Sequence, residues 1–180
     1  MNIKLIFAGY GGQGALLSGQ LVAYAAMLED KHVTWFPSYG PEMRGGAANC
    51  SVIISDKRIG SPVIQTADAV VALNQPSFDK FEPQVKPGGV IVYNTSMTDS
   101  GLKESRTDIR YIGLPISDIA NDLGNLKVSN MIALGCLNEV INAAKPESII
   151  EALKFKLGDK KADLVELNKV AIAKGKEAAK

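Results

Sequence analysis

The stretch IKLIFAGYGGQG, residues 3–14, decides the fold of this chain. Its first six residues form a short apolar run that is typical of a buried strand in a parallel sheet. The glycines that follow end this strand, and the segment 15–28, rich in alanine and leucine, predicts a helix. A second strand is predicted at 33–36, directly before Pro37. A strand, a glycine-rich turn, a helix and a strand in this order indicate a Rossmann-like opening.

The rest of the chain continues as an α/β pattern. Apolar runs predict further strands at 47–55, 69–73, 90–94 and 109–112, with a loop at 37–46 and a turn at 87–89. Helices are predicted at 78–81, 130–144 (capped by Ser129), 147–156 and 161–179, so the part after Ile116 is helical. We therefore predict one domain, residues 1–180, with a mostly parallel sheet and helices on both faces.

Composition excludes several classes of protein. The 180 residues carry 20 basic and 19 acidic side chains, a net charge of +1, and only 6% aromatic residues. A nucleic-acid or membrane-surface binder would show a basic excess, and a single-strand binder would show stacking aromatics. No apolar run approaches the roughly 20 residues that span a bilayer, and the amino-terminal residues do not resemble a signal peptide. We expect a cytoplasmic protein that binds neither nucleic acid nor membrane.

Cysteine and histidine counts limit the chemistry further. Cys50 and Cys136 are far apart, and His32 has no ligand-like neighbour at useful spacing. An iron–sulfur cluster generally needs four cysteine ligands, and a structural zinc site needs a similar set. One histidine gives no convincing Ser-His-Asp arrangement. The sequence therefore assigns no catalytic residue and no metal ligand.

The glycine-rich turn is the first candidate site. Gly9, Gly11 and Gly14 satisfy GxGxxG at a strand-to-helix junction, and Gly12 and Gln13 lie between them. Small residues let a ligand approach the backbone, and the N–H groups at a helix start favour phosphate or another anion. The alternative is that the glycines only permit a tight turn and close packing of the helix on the sheet. An NAD site is disfavoured, because the second strand ends in WFPS (35–38) without an acidic residue for the ribose.

The second candidate site is the loop after the second strand. A loop in this position should lie at the carboxyl edge of the sheet, beside the glycine turn. Arg44 could bind an anion through its guanidinium group. The alternative without a ligand is an internal contact between Arg44 and either Glu42 or the backbone. An Asn-Gln pair ends the third apolar strand at the same edge. The candidate interface or ligand residues are Ser38, Tyr39, Gly40, Pro41, Glu42, Met43, Arg44, Gly45, Gly46, Asn74 and Gln75.

Four motifs in this order carry a family resemblance: GYGGQG (9–14), PSYGPEMRGG (37–46), IGSP (59–62) and ALNQ (72–75). Together they closely resemble the gamma subunit of the 2-oxoacid:ferredoxin oxidoreductases. The resemblance extends over essentially the whole chain and is strongest to the 2-oxoglutarate and branched-chain members. The pyruvate and indolepyruvate members are close relatives.

The resemblance implies a subunit of an enzyme that decarboxylates a 2-oxoacid oxidatively, forms an acyl-CoA and reduces ferredoxin. It places thiamine diphosphate, Mg and iron–sulfur clusters in the alpha, beta and ferredoxin-like partner subunits. This chain would bind none of them alone, but would help to form the coenzyme A region of the assembly. A homodimer is also compatible with the resemblance.

Two other functions remain open at this point. One is a free-standing nucleotide-binding enzyme, and the other is a non-catalytic scaffold module. The resemblance favours the gamma subunit over both.

Overall fold

The computed structural model describes residues 1–39, 47–158 and 161–179. Six strands form one sheet in the described residues: β1 (Asn2–Tyr10), β2 (His32–Tyr39), β3 (Ala47–Ser55), β4 (Ala67–Ala72), β5 (Val85–Asn94) and β6 (Arg110–Leu114). Their order across the sheet is β2-β3-β1-β4-β5-β6. The pairs β1/β4, β4/β5 and β5/β6 are parallel, whereas β3 is antiparallel to both β1 and β2. The predicted mostly parallel sheet is confirmed.

The helices lie on both faces of the sheet, but unequally. They are α1 (Ala15–Leu28), α2 (Gln75–Phe81), α3 (Ile116–Asp122), α4 (Ser129–Ile141), α5 (Pro146–Leu157) and α6 (Ala162–Ala178). Leu5 and Phe7 of β1 face the large core under α1 and α4, and α5 and α6 add to that layer. Ile6 and Ala8 face a smaller core under α2. Both faces of β1 are buried, which explains its continuous apolar run.

The backbones of α4 and α6 approach unusually closely. A methyl group at Gly135 would overlap the carbonyl oxygen of Ile172, and one at Gly175 would overlap that of Ile132. These two helices therefore depend on having no side chain at either position. Among the described residues, no helix has both the length and the apolar character that crossing a membrane requires.

Three local predictions were wrong. The second strand does not end before Pro37 but runs on to Tyr39. Within the described residues β3 is the single neighbour of β2, so β2 is an edge strand there, and an edge strand tolerates proline. The turn predicted at 87–89 lies inside β5, as an irregularity where Gly88 takes a φ of +78°.

Ser129 is the third correction, since its side chain does not cap α4. A 3-10 turn, Leu126–Val128, leads directly into the helix, so Ser129 is already its first residue. Its hydroxyl donates instead to the carbonyl of Leu126, at 2.7 Å.

Candidate functional site

The strand ends bring the predicted site residues to one edge of the sheet. β1, β4 and β5 run parallel, so Tyr10, Asn74 and Asn94 follow or end their strands at the same carboxyl edge. The antiparallel β3 begins there as well, because Ala47 pairs with Tyr10. Helices α1 and α2 leave this edge toward opposite faces, which is the topology that opens a crevice in α/β sheets.

The glycines of the first turn serve different purposes. Gly12 and Gly14 have φ angles of +93° and +83°, a region that residues with a side chain rarely adopt. Gly9 is required by close packing, since a methyl there would lie 2.8 Å from Oε1 of Gln13 and 3.1 Å from Cβ of Leu73. The motif therefore fixes the shape of the turn at these three positions.

Gln13 ties the turn to β4. Its Oε1 accepts hydrogen bonds from the Tyr10 amide at 2.6 Å and from Nδ2 of Asn74 at 2.9 Å. Its Nε2 donates to the Leu73 carbonyl at 3.4 Å. The side chains of Gln13 and Asn74, predicted as ligand contacts, thus hold two loops together. Asn74 also caps α2 by accepting from the Ser77 amide at 2.9 Å.

Two buried asparagines complete the scaffold, and the sequence reasoning missed both. Asn130, 2% exposed, donates to the Gly14 carbonyl at 3.1 Å. Asn94, 1% exposed, donates to Oγ of Ser117 at 2.9 Å and to the Leu73 carbonyl at 3.4 Å. The sequence did contain a signal for Asn94. This residue ends an apolar strand, and Asn74, which was predicted, likewise follows an apolar strand. Asn130 lies 116 residues from its partner and gave no local signal.

The glycine turn separates two clefts. The larger one, about 440 Å³, lies on the α1 side, and the smaller one, about 180 Å³, lies toward α3 and α4. Lining residues of the larger cleft include Gly11, Gly12, Leu17, Gln20, Trp35 and Lys156. Those of the smaller cleft include Gly12, Gln13, Asn94, Ser117, Lys127 and Ser129. Each cleft has one lysine at its wall, so each can receive an anionic group.

The larger cleft also contains the start of α1. The first hydrogen bond of this helix runs from the Ser18 amide to the Gly14 carbonyl at 3.1 Å. The amides of Ala15, Leu16 and Leu17 therefore have no partner within the helix, and Gly14 offers no side-chain cap. These N–H groups and the helix dipole favour a phosphate or carboxylate at this place.

The cysteines lie in the core. Burial raises the pKa of the Cys50 thiol to about 12, and it raises the pKa of the Cys136 thiol to about 11. Both are buried and free. At neutral pH these groups are thiols, which are poor nucleophiles and poor metal ligands. Within the described ranges, no three His, Cys, Asp or Glu side chains are grouped so as to hold a metal ion.

Only part of the second candidate loop falls within the described residues. Residues Gly40, Pro41, Glu42, Met43, Arg44, Gly45 and Gly46 lie outside the described residues. Ser38 is exposed on the face opposite α1, where it lines a cleft with Phe36 and Asn49, so it does not meet the glycine turn. Gln75 donates to Asp79 at 2.7 Å and accepts from the Asp99 amide at 3.0 Å.

Comparison with known sequences matches residues 4–178 to a family described as pyruvate ferredoxin/flavodoxin oxidoreductase. The ketoisovalerate oxidoreductase subunit VorA of Methanothermobacter marburgensis is 37% identical over 99% of this chain, but only over 37% of its own length. The 2-oxoglutarate synthase subunit KorC of Methanocaldococcus jannaschii is 34% identical over 100% of this chain and 95% of its own length. The chain thus spans about a third of the first curated relatives that it matches.

Solved structures agree with the sequence comparison. The 2-oxoglutarate:ferredoxin oxidoreductase of Magnetococcus marinus, solved with 2-oxoglutarate, coenzyme A and succinyl-CoA bound, superposes with a TM-score of 0.90 at 28% identity. The match covers 99% of this chain and 31% of that chain. The keto/oxoacid ferredoxin oxidoreductase gamma subunit of Geobacter sulfurreducens gives a TM-score of 0.82 at 32% identity, over 98% of both chains.

Proposed function

The chain belongs to the pyruvate ferredoxin/flavodoxin oxidoreductase family, and from that premise we propose that it acts as the gamma subunit of a 2-oxoacid:ferredoxin oxidoreductase. The observation that carries the proposal is the likeness to KorC, which extends over 100% of this chain and 95% of that subunit. The assembled enzyme would release the carboxyl carbon of a 2-oxoacid as CO₂. It would transfer the acyl group to the thiol of coenzyme A and pass the electron pair to ferredoxin. The proposed substrate is 2-oxoglutarate, as in the name of the KorC relatives.

In this proposal the partner subunits hold thiamine diphosphate, Mg and the iron–sulfur clusters. This chain has two cysteines, both buried in the core, whereas an iron–sulfur cluster generally needs four cysteine ligands. The sheet edge with the glycine turn would face the catalytic subunits. Asn74, Asn94 and Asn130 would keep its backbone in one shape, since a positioned donor array binds better than a mobile one.

The residues of the larger cleft fit a coenzyme A phosphate. Free amides at the start of α1, the glycine backbone and the Lys156 ammonium all favour an anion there. The indole of Trp35 adds an apolar wall for the uncharged part of the ligand. We propose that Gly9, Gly11, Gly12 and Gly14 shape this phosphate site, that Gln13 positions it, and that Arg44 adds a further clamp.

A free-standing NAD enzyme is disfavoured by the sheet order. In a dinucleotide fold the second strand lies beside the first and presents an acid to the ribose. Here β3 separates β2 from β1, which puts two strand spacings, about 10 Å, between them. A non-catalytic scaffold would leave catalysis unaffected by changes at the glycine turn, so kinetics distinguish it from the proposed subunit.

The test is reconstitution with the partner subunits of the same organism. Reduction of ferredoxin by the complex should require both 2-oxoglutarate and coenzyme A, and should stop when this chain is left out. Arg44→Ala should raise the KM for coenzyme A or the dissociation constant of the complex about thirtyfold, since losing one charge of an interfacial pair costs about 2 kcal/mol or more. The exposed Arg58 supplies the control variant, Arg58→Ala. Equal kinetics and assembly for both variants would refute the role of Arg44.

A further inference from the structure

Helix α1 has a partly exposed surface without any charge. None of its 14 residues is acidic or basic. Met27 is 54% exposed, Leu28 is 41% exposed, and Tyr24 is half-buried. A surface helix of a globular protein normally carries charged residues on its outer side. The outer side of α1 is therefore built for contact with protein rather than with water.

The neighbouring helix continues this apolar surface. Phe155 of α5 is 72% exposed, and its ring stacks on that of Tyr24 with centroids 4.9 Å apart. Between α1, α5 and β2 lies a groove of about 380 Å³. Its lining includes Gln20, Tyr24, Met27, Trp35, Phe155 and Lys156, and we call this groove the α1–α5 face. Gln20, Trp35 and Lys156 also line the cleft beside the glycine turn, so the two are continuous.

One cation lies at the rim of the α1–α5 face. Lys156 lines the groove, is exposed, and forms no ion pair with any residue that the structure describes. A partner that fills the groove with aliphatic or aromatic side chains would place a carboxylate against this lysine. That combination of an apolar centre and a charged rim is typical of specific protein interfaces.

The longer relatives indicate what covers this face. This chain corresponds to 37% of the M. marburgensis VorA and to 31% of the M. marinus oxidoreductase chain, so the same fold there belongs to a longer polypeptide. In KorC it makes up 95% of a separate subunit. A unit that is joined to a second region in some relatives needs a surface that holds the equivalent region in the others.

We propose that the α1–α5 face docks the catalytic subunit that corresponds to the remaining part of those longer relatives, and that this subunit presents apolar side chains beside a carboxylate that meets Lys156. The proposal rests on the proposed function and extends it by assigning the contact surface. Continuity of the groove with the glycine-turn cleft brings the docked subunit next to the phosphate site. Phe155 and Met27 are the expected anchors, because exposed aromatic and methionine side chains dominate interface energetics.

The test is co-production of the full chain with that subunit, followed by affinity purification and size-exclusion chromatography with light scattering. Phe155→Glu and Met27→Lys should each weaken the complex at least tenfold. Val170→Lys is the matched control, since Val170 is 45% exposed on α6, outside the α1–α5 face. Circular dichroism confirms that each variant is folded. A photo-crosslinking residue at position 155 should form an adduct with the catalytic subunit in the wild-type background.

The outcomes distinguish a failure of the proposed function from a failure of the docking proposal alone. If the wild-type chain does not join the catalytic subunit, both the proposed function and the docking proposal fail. If it joins, but Phe155→Glu and Met27→Lys join equally well, the function stands and the docking proposal is overturned. If Phe155→Glu instead dissociates a homodimer of the isolated chain and leaves the complex intact, the occupant is a second copy and the proposal is also overturned.

Discussion

Gln13 should contribute more to the free energy of unfolding than its half-buried position suggests. Gln13→Met keeps the length of the side chain but removes its bonds to the Tyr10 amide, to Asn74 and to the Leu73 carbonyl. The Asn74 amide is buried and would lose a partner, whereas the Leu73 carbonyl keeps its bond from Asn94. Since a buried donor left unsatisfied costs about 1–3 kcal/mol, the Asn74 amide alone gives an expected loss of about 2 kcal/mol.

The measurement is urea unfolding together with thermal unfolding, both followed by circular dichroism. For a chain of this size, about 2 kcal/mol lowers Tm by about 4–8 °C. Gln20→Met is the control, because the Gln20 side chain makes no hydrogen bond in the part of the chain that the structure describes. Gln13→Glu should lose less than Gln13→Met, since a carboxylate still accepts from both donors. A loss below about 0.5 kcal/mol for Gln13→Met, or an equal loss for Gln20→Met, would refute the reasoning.

Three further outcomes are expected. Gly175→Ala should lower the free energy of unfolding by about 3 kcal/mol, because its methyl would overlap the backbone of α4. Cys50 and Cys136 should react with a thiol reagent only after unfolding, because both are buried and because pKa values of about 12 and about 11 leave roughly one thiolate in ten thousand and one in a thousand at pH 8. Hydrogen bonds from Lys31 and from the amino terminus lower the pKa of Asp56 to about 2, so the stability that Asp56 adds over Asp56→Asn should be fully present between about pH 5 and 7 and disappear between about pH 4 and 2.

Each of these outcomes has its own control. Gly60→Ala should leave stability unchanged, because nothing lies within 4 Å of the added methyl, and an equal loss there would contradict the packing argument. Rapid labelling of either cysteine in the folded protein would contradict their burial. Asp122→Asn is the control, because it removes an exposed carboxylate of α3 that forms no ion pair with any described residue. The same profile for both substitutions would remove the case for the Lys31 contact.

Elements whose signals are local were predictable from the sequence. The helix 15–28 has its predicted bounds because an apolar segment follows a glycine that can take positive φ. The strand 47–55 also has its predicted bounds. A local sequence pattern does not show which strands pair with each other in the sheet. Nothing in 47–55 indicates that β3 lies antiparallel between β1 and β2, and this placement also makes β2 an edge strand that accepts Pro37.

The candidate site was predictable to a similar extent. The rule that parallel strands end at one edge correctly placed Gln13 beside Asn74, which hydrogen-bond at 2.9 Å. It did not reveal that both amides also hold the two loops together. Asn130 was missed because its contact with Gly14 depends on how α4 lies over α1, a tertiary arrangement without a sequence motif. The exposed Phe155 was missed because an aromatic residue in an amphipathic helix normally faces the core.

The position of β3 also bears on how the sheet is assembled. β1, α1 and β2 are consecutive in the chain, yet β1 and β2 share no hydrogen bonds, because β3 lies between them. The next segment of the chain, β3, supplies the pairing of β2, and both strands lie within His32–Ser55. The β2–β3 ribbon can therefore form from near neighbours at low loop-closure cost and then add to β1 as one unit.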